Sequence, residues 1–256
     1  MLLALAITLG YFTIFFIVAT IIKNNSIVDI GWGLGFVIVS WCLFLISGNY
    51  SITKIMINIM VSLWGIRLFY HILKRNIFEK EDFRYANWRK SWGKWVIPRA
   101  FIQVFMLQGL LQFLIGSTSY YINSNDLNFR YFSLIGVIFW GIGYYFQVVS
   151  DRQLKLHISD SNNRGKLLTS GLWSKSRHPN YFGESLMWWG IFIFSVISGA
   201  PFYLIISPLT ISIVLYFIST PLLETRMETY EGWAKYKERT PIFVPNLLSE
   251  NKGGKI

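Results

Sequence analysis

Residues 176–199 read SRHPNYFGESLMWWGIFIFSVISG. Arg177, His178, Asn180 and Glu184 stand directly against a run as apolar as a bilayer core. Such a junction asks for a helix that leaves a polar surface and enters lipid. Pro179 suits the first turn of that helix, with a polar residue ahead of it as cap. A bilayer core needs about 20 apolar residues per helix, and the same test applied outward gives seven candidate spans, at 2–22, 30–47, 54–73, 98–121, 131–150, 180–199 and 202–223. The sixth and seventh are joined only by Ser198-Gly199-Ala200-Pro201, so they are expected to form a tight helical hairpin. The fold class expected is all-α, a polytopic membrane helical bundle of about seven transmembrane helices. Residues 1–245 read as one membrane-embedded unit and 246–256 as a flexible tail.

Composition agrees. The chain has 256 residues, 53% of them hydrophobic and 14% charged, which is more apolar and less charged than a soluble domain of this size. The first apolar run lacks a basic leader and a small-residue cleavage site, and it reads as a retained span. Cys42 is the single cysteine and lies in an apolar run, so packing is its expected role. The net charge of +11 does not point to nucleic acid, because the cations gather in loops 74–97 and 151–179 and in the C-terminal tail. Loops 48–53 and 122–130 hold only Arg130. That alternation places the heavy loops and the C-terminus in the cytosol and the N-terminus outside. Trp88, Trp92 and Trp95, interleaved with basic residues, read as a short interfacial helix.

Polar groups inside or at the edge of the spans are the candidate chemistry, since an intramembrane charge is costly and normally has a partner. Asp29 opens the second span, and Arg67 lies in the third, where it either snorkels or pairs with Asp29. Gln103, Gln108 and Gln112 lie on the fourth, the last two on one face. Asp151 ends the fifth span and Glu184 begins the sixth, with a basic loop between them. Arg164, Lys166, Lys175 and Arg177 in that loop suit phosphates, and Asn180 and Asp151 suit an amide, a base edge or ribose hydroxyls. The cassette thus reads as the rim of a pocket for a charged, nucleotide-like ligand. No G-x-G-x-x-G or Walker motif is present, and His71, His157 and His178 lack the clustered spacing of a metal site.

Taken together, DRQL (151–154), GLW (171–173), SRHPNYFGE (176–184), WWG (188–190), PLLETRM (221–227) and YKERTPIFVP (236–245) resemble the DUF1295 membrane proteins. The similarity extends to the C-terminal region of steroid 5-alpha-reductases and, more distantly, to sterol reductases. It is strongest over 140–245, and DIGWG (29–33) and WGIRL (64–68) are similar to bacterial members. The resemblance implies NADPH held on the cytosolic side by the C-terminal helices and reduction of a carbon–carbon double bond conjugated to a carbonyl. On that basis Asp151, Lys155, Arg164, Arg177, His178, Asn180 and Glu184 are the expected cofactor-binding residues. The steroid enzymes hold the enone oxygen with an N-terminal glutamate and a tyrosine, for which the sequence shows no clear equivalent. Asp29 is the nearest acid, and Tyr181, Asp29 and Tyr70 are the candidate catalytic donors.

The expected activity is therefore an NADPH-dependent membrane oxidoreductase acting on a lipophilic enone, with membrane lipids as surroundings and no nucleic-acid partner. The membrane is a bacterial inner membrane or the endoplasmic reticulum. Two rivals are an S-adenosylmethionine-dependent methyltransferase, because isoprenylcysteine carboxyl methyltransferases carry a similar RHP-x-Y-x-G cassette, and a non-enzymatic lipid-binding protein.

Overall fold

The computed structural model describes residues 1–76 and 81–246. Lys80 and all of the expected tail except Asn246 lie outside the described residues. Among the described residues the regular structure is entirely helical. Segments Leu2–Ile22, Ile27–Ser47, Ile52–Asn76, Phe83–Ser124, Tyr131–Ser159 and Phe202–Met227 are long and apolar enough to cross a membrane, six where the sequence reading expected seven. The remaining expected span, 180–199, is the 19-residue helix Pro179–Ile197, whose first turns carry Asn180 and Glu184 and dilute its apolar run.

The helices group into two compact units. The first contains residues 1–133 together with 194–207. It begins with α1 (Leu2–Ile22), α2 (Ile27–Ser47) and α3 (Ile52–Asn76). It continues with α4 (Phe83–Trp92), α5 (Val96–Ala100) and, after a π-type stretch at Phe101–Met106, α6 (Leu107–Ser124). Gly48, left-handed at φ 62°, turns α2 toward α3. A Cβ on Gly33 would meet the Gly65 carbonyl oxygen at 2.6 Å, and one on Gly65 would meet the Gly33 oxygen at 2.6 Å. The DIGWG and WGIRL stretches therefore meet backbone to backbone, which small residues permit in membrane helices. Above that crossing Phe36 stacks edge-on against Trp64, with ring centroids 5.1 Å apart.

Several polar side chains inside this unit bond to one another, as the cost of several kcal/mol for an unbonded polar group in hydrocarbon favours. Lys54, 1% exposed, donates to Asp126 at 2.9 Å. The Lys54 ammonium holds the Asp126 carboxyl below the usual carboxylate value. Asn58 Nδ2 donates to the Lys54 carbonyl and to Asn123 Oδ1, and Asn123 Nδ2 donates to Ser40 Oγ and to the Ser119 carbonyl. This network ties α2, α3 and α6 together.

The second unit contains 134–193 and the chain from Pro208 onward. It holds α7 (Leu134–Ser159), most of α8 (Pro179–Ile197), α9 (Ile206–Ile213), α10 (Thr220–Met227) and α11 (Trp233–Arg239). Pro221 has no N–H and its ring crowds the carbonyl four residues back, and the helix widens into a π-type stretch over Val214–Ser219 before α10 resumes. Ser212 Oγ lies 2.6 Å from Ser185 Oγ and accepts from Trp189 Nε1 at 3.2 Å, which joins α9 to α8. The turn after α8 uses Gly199 at φ 106°, so the tight hairpin expected at Ser198–Pro201 is present.

Candidate functional site

The seam between α7 and α8 sets the site. A Cβ on Gly143 would lie 2.5 Å from the Gly183 oxygen, and one on Gly190 would lie 2.6 Å from the Gly136 oxygen. Seven residues up one helix match seven down the other, so the two run antiparallel with their backbones in contact. The same register carries polar rungs beyond the glycines. Gln147 Nε2 donates to Glu184 Oε2 at 3.0 Å, and one turn further Asn180 Nδ2 donates to Asp151 Oδ1 at 3.2 Å. Asn180 Oδ1 accepts the Tyr181 N–H at 3.0 Å, which fixes the amide's orientation. Asp151, Asn180 and Tyr181 are half-buried, and Glu184 is buried. The structure thus brings Asp151, Asn180 and Glu184 to one seam, with Gln147 as the rung partner that sequence reasoning missed. Gln147 sits four residues before Asp151, which is the signal that would have found it.

DRQL and GLW meet beside this seam. Gln153 Oε1 accepts from the Leu172 N–H at 3.0 Å, and Gly171, at φ 61°, leaves room for the Gln153 side chain where a Cβ would come within 2.5 Å. Trp173 Nε1 donates to the Ser150 carbonyl, and the Tyr236 hydroxyl donates to the Trp173 carbonyl at 2.6 Å. Lys155 is exposed one turn beyond Asp151 on α7, and Arg164 is exposed in the following loop.

Arg177 is the centre of a latch. Its Nε donates to Glu224 Oε1 at 2.8 Å and its Nη2 to Glu224 Oε2 at 3.3 Å. Its Nη1 donates to the carbonyls of Lys237 and Thr240, and its guanidinium lies 5.8 Å from the centre of the Trp233 ring. The Arg177 backbone N–H donates to the Pro241 carbonyl, and Ser176 Oγ donates to the Phe243 carbonyl. Three of the six sequence stretches, SRHPNYFGE, PLLETRM and YKERTPIFVP, are therefore one cluster. His178, 1% exposed, places Nε2 3.1 Å from Glu224 Oε1 and stacks on Tyr181 at 5.5 Å. Burial lowers the His178 pKa below the usual histidine value, against the pull of Glu224. Glu224 is the partner of Arg177 and His178 that sequence reasoning missed. It stands in PLLETRM, but its 47-residue separation from Arg177 gives no local spacing to read.

The other expected donors lie in the first unit. Tyr70, 63% exposed, lines an open groove of about 370 Å³ on α3 together with Arg67. Asp29 accepts from the Tyr85 hydroxyl at 2.9 Å and from Arg84 Nη2 at 3.4 Å, so its ionic partner is Arg84 and not Arg67. Gln108 Nε2 donates to the Tyr85 oxygen at 3.2 Å. The Tyr85 O–H is thus committed to the carboxylate, and its oxygen accepts from the amide. The two members of this acid–tyrosine pair are 56 residues apart, and Tyr85 lies in a stretch otherwise read as a membrane-surface helix.

No solved structure matches the chain. The chain is 23% identical over 253 residues to the uncharacterized protein C594.04c of Schizosaccharomyces pombe, covering 88% of this chain and 74% of that one. The family described as a protein of unknown function (DUF1295) matches residues 15–240, which takes in the α7–α8 seam, Glu224 and the Asp29–Tyr85 pair, and the chain belongs to that family.

Proposed function

We propose that the chain is a multi-pass membrane oxidoreductase that uses NADPH to reduce a carbon–carbon double bond conjugated to a carbonyl in a lipophilic substrate. The observation that carries the reading is the pair of rungs Asp151–Asn180 and Gln147–Glu184 at the end of two apolar helices. Asn180 and Asp151 offer an amide and a carboxylate to ribose hydroxyls or to a carboxamide. Lys155 and Arg164 add exposed cations for phosphate oxygens. Arg177 and His178 support the nucleotide indirectly: their bonds to Glu224 hold the segment that closes over the start of α8. The resemblance to steroid 5-alpha-reductases supplies the chemistry, hydride delivery to the beta carbon with negative charge developing on the carbonyl oxygen. One preorganised donor at such an oxygen contributes about 2.7–4 kcal/mol. Of the phenols the chain offers, Tyr181 is assigned this role, because it stands in the first turn of α8 beside the Asp151–Asn180 rung. The cation-rich loops and the C-terminus are placed in the cytosol and the N-terminus outside, with Pro179–Ile197 as a seventh span.

Titration of the purified protein with NADPH and, separately, with S-adenosylmethionine tests this. The reading expects NADPH to bind, and lipid incubated with protein and NADPH to gain two hydrogens. Binding of S-adenosylmethionine without NADPH would replace it with the methyltransferase reading.

A further inference from the structure

Within the first unit, α4 is tied to the turn between α1 and α2. The Asn25 N–H in that turn donates to Glu81 Oε1 at 2.7 Å, and the Tyr85 hydroxyl of α4 donates to Asp29 in the first turn of α2. Both α1 and α2 are able to cross a membrane, so the turn that joins them, and α4 with it, stands at a bilayer surface. Tyr85 belongs to the buried cluster that includes Phe12, Val28 and Phe105, which fixes the inner side of α4. The charges nearest that inner side are matched. Arg89 pairs with Glu81 at 2.9 Å, and Arg84 pairs with Asp82 at 2.9 Å and with Asp29 at 3.4 Å. Lys90, Lys94 and Arg99 are exposed, and among the described residues none bonds or pairs with them. Apolar groups are interleaved with these three cations: Trp88, Trp95 and Ile97 are 43%, 57% and 54% exposed.

Indole spacing alone places this stretch at an interface; the sorting of its charges says what that interface must carry. With the local acids already paired, the surface is left with cations and no local counter-charge. A soluble acidic partner would meet the cations but leave the indoles in water. A bilayer with acidic headgroups meets both, because indoles settle at headgroup depth and juxtamembrane cations are drawn to anionic lipids. A zwitterionic surface would take the indoles and offer the cations no net attraction. We propose that the α4–α5 surface is a docking site for anionic phospholipids of the surrounding membrane. Their phosphates meet Lys90, Lys94 and Arg99, with Trp88 and Trp95 between the headgroups. The site lies in the first unit and stands independently of the reductase reading.

Amide hydrogen exchange of the full chain tests it, measured in nanodiscs of phosphatidylglycerol and of phosphatidylcholine with identical acyl chains. In the wild type the amides of residues 83–100 exchange several-fold more slowly in phosphatidylglycerol. The triple variant Lys90→Gln/Lys94→Gln/Arg99→Gln exchanges alike in the two lipids at an unchanged melting temperature. The charge-keeping variant Lys90→Arg/Lys94→Arg/Arg99→Lys retains the difference, so lost charge and lost folding are told apart. Equal exchange of residues 83–100 in the two lipids by the wild type, or an undiminished difference in the glutamine variant, overturns the proposal. The same slowing in phosphatidylcholine discs on adding free glycerol phosphate overturns it in favour of a free phosphate ligand. The same slowing there on adding polyglutamate overturns it in favour of a soluble acidic partner.

Discussion

Arg177 is 6% exposed and commits its guanidinium to a carboxylate, two backbone carbonyls and an indole face. Removing one partner of a buried ion pair leaves the other charged and unmatched, at a cost of about 3–5 kcal/mol. Glu224→Gln is therefore expected to lower the melting temperature of the purified protein sharply. Arg177→Met combined with Glu224→Leu is expected to recover only part of the loss, since an apolar pair removes the unmatched charge but leaves the Lys237 and Thr240 carbonyls without their donor. His178 gives the cluster a pH dependence. Burial lowers its pKa in the folded state, so the unfolded chain binds the proton more readily. The stability this neutral histidine confers is complete above its unfolded value of about 6.5 and is lost as pH falls toward the depressed folded value. Melting curves taken from about pH 7.5 to about pH 5 are expected to fall less steeply for His178→Gln than for the wild type. The sequence offered Arg177 as a cation for phosphate and His178 as part of the cofactor cassette that the resemblance implies. Glu224, their partner in the structure, is remote in the chain, and only folding brings it to them. The same holds for Asp29, whose phenol partner comes from α4. With Tyr181 as the donor to the substrate oxygen, Tyr181→Phe lowers kcat by roughly 100-fold, the scale of losing one oxyanion donor, while NADPH affinity is little changed.

At the level of helices, glycine spacing explains why α7 and α8 present their polar residues to each other. Gly136 and Gly143 face Gly190 and Gly183, and the rungs follow because the backbones are already in contact. Gly183→Leu drives a side chain into the Gly143 carbonyl, and overpacking of this kind costs about 1–3 kcal/mol. Its expected outcome is a lower melting temperature together with weakened NADPH binding, read by thermal shift with and without cofactor. Pattern reading recovered these elements well. The hairpin at Ser198–Pro201, the helix at Trp88–Trp92 and the Pro179 helix start were all visible, because apolar run length and turn residues are local signals. The π-type stretches at Phe101–Met106 and Val214–Ser219 were not, since a widened turn leaves the hydropathy pattern intact. The latch of α8 against the chain after α10 was also hidden, for it is made of backbone carbonyls that carry no side-chain signature.

For the molecule as a whole, membrane residence follows from six apolar helices, and the count of seven turns on Pro179–Ile197. With that helix spanning, the proposed topology puts the cations of loop 151–179 in the cytosol and loop 122–130 outside. In a Cys42→Ser background, Asn162→Cys is expected to react with an impermeant thiol reagent only in inside-out vesicles, and Asn128→Cys only in right-side-out ones. The account as a whole rests on the α7–α8 seam holding a nicotinamide nucleotide. The most direct test is NADPH affinity, measured by titration of the wild type and of Asn180→Ala in the same detergent. The account expects the wild type to bind and the variant to bind about two- to tenfold more weakly, because a neutral hydrogen bond contributes about 0.5–1.5 kcal/mol. Equal affinity in the two proteins, or no NADPH binding by the wild type, would contradict it.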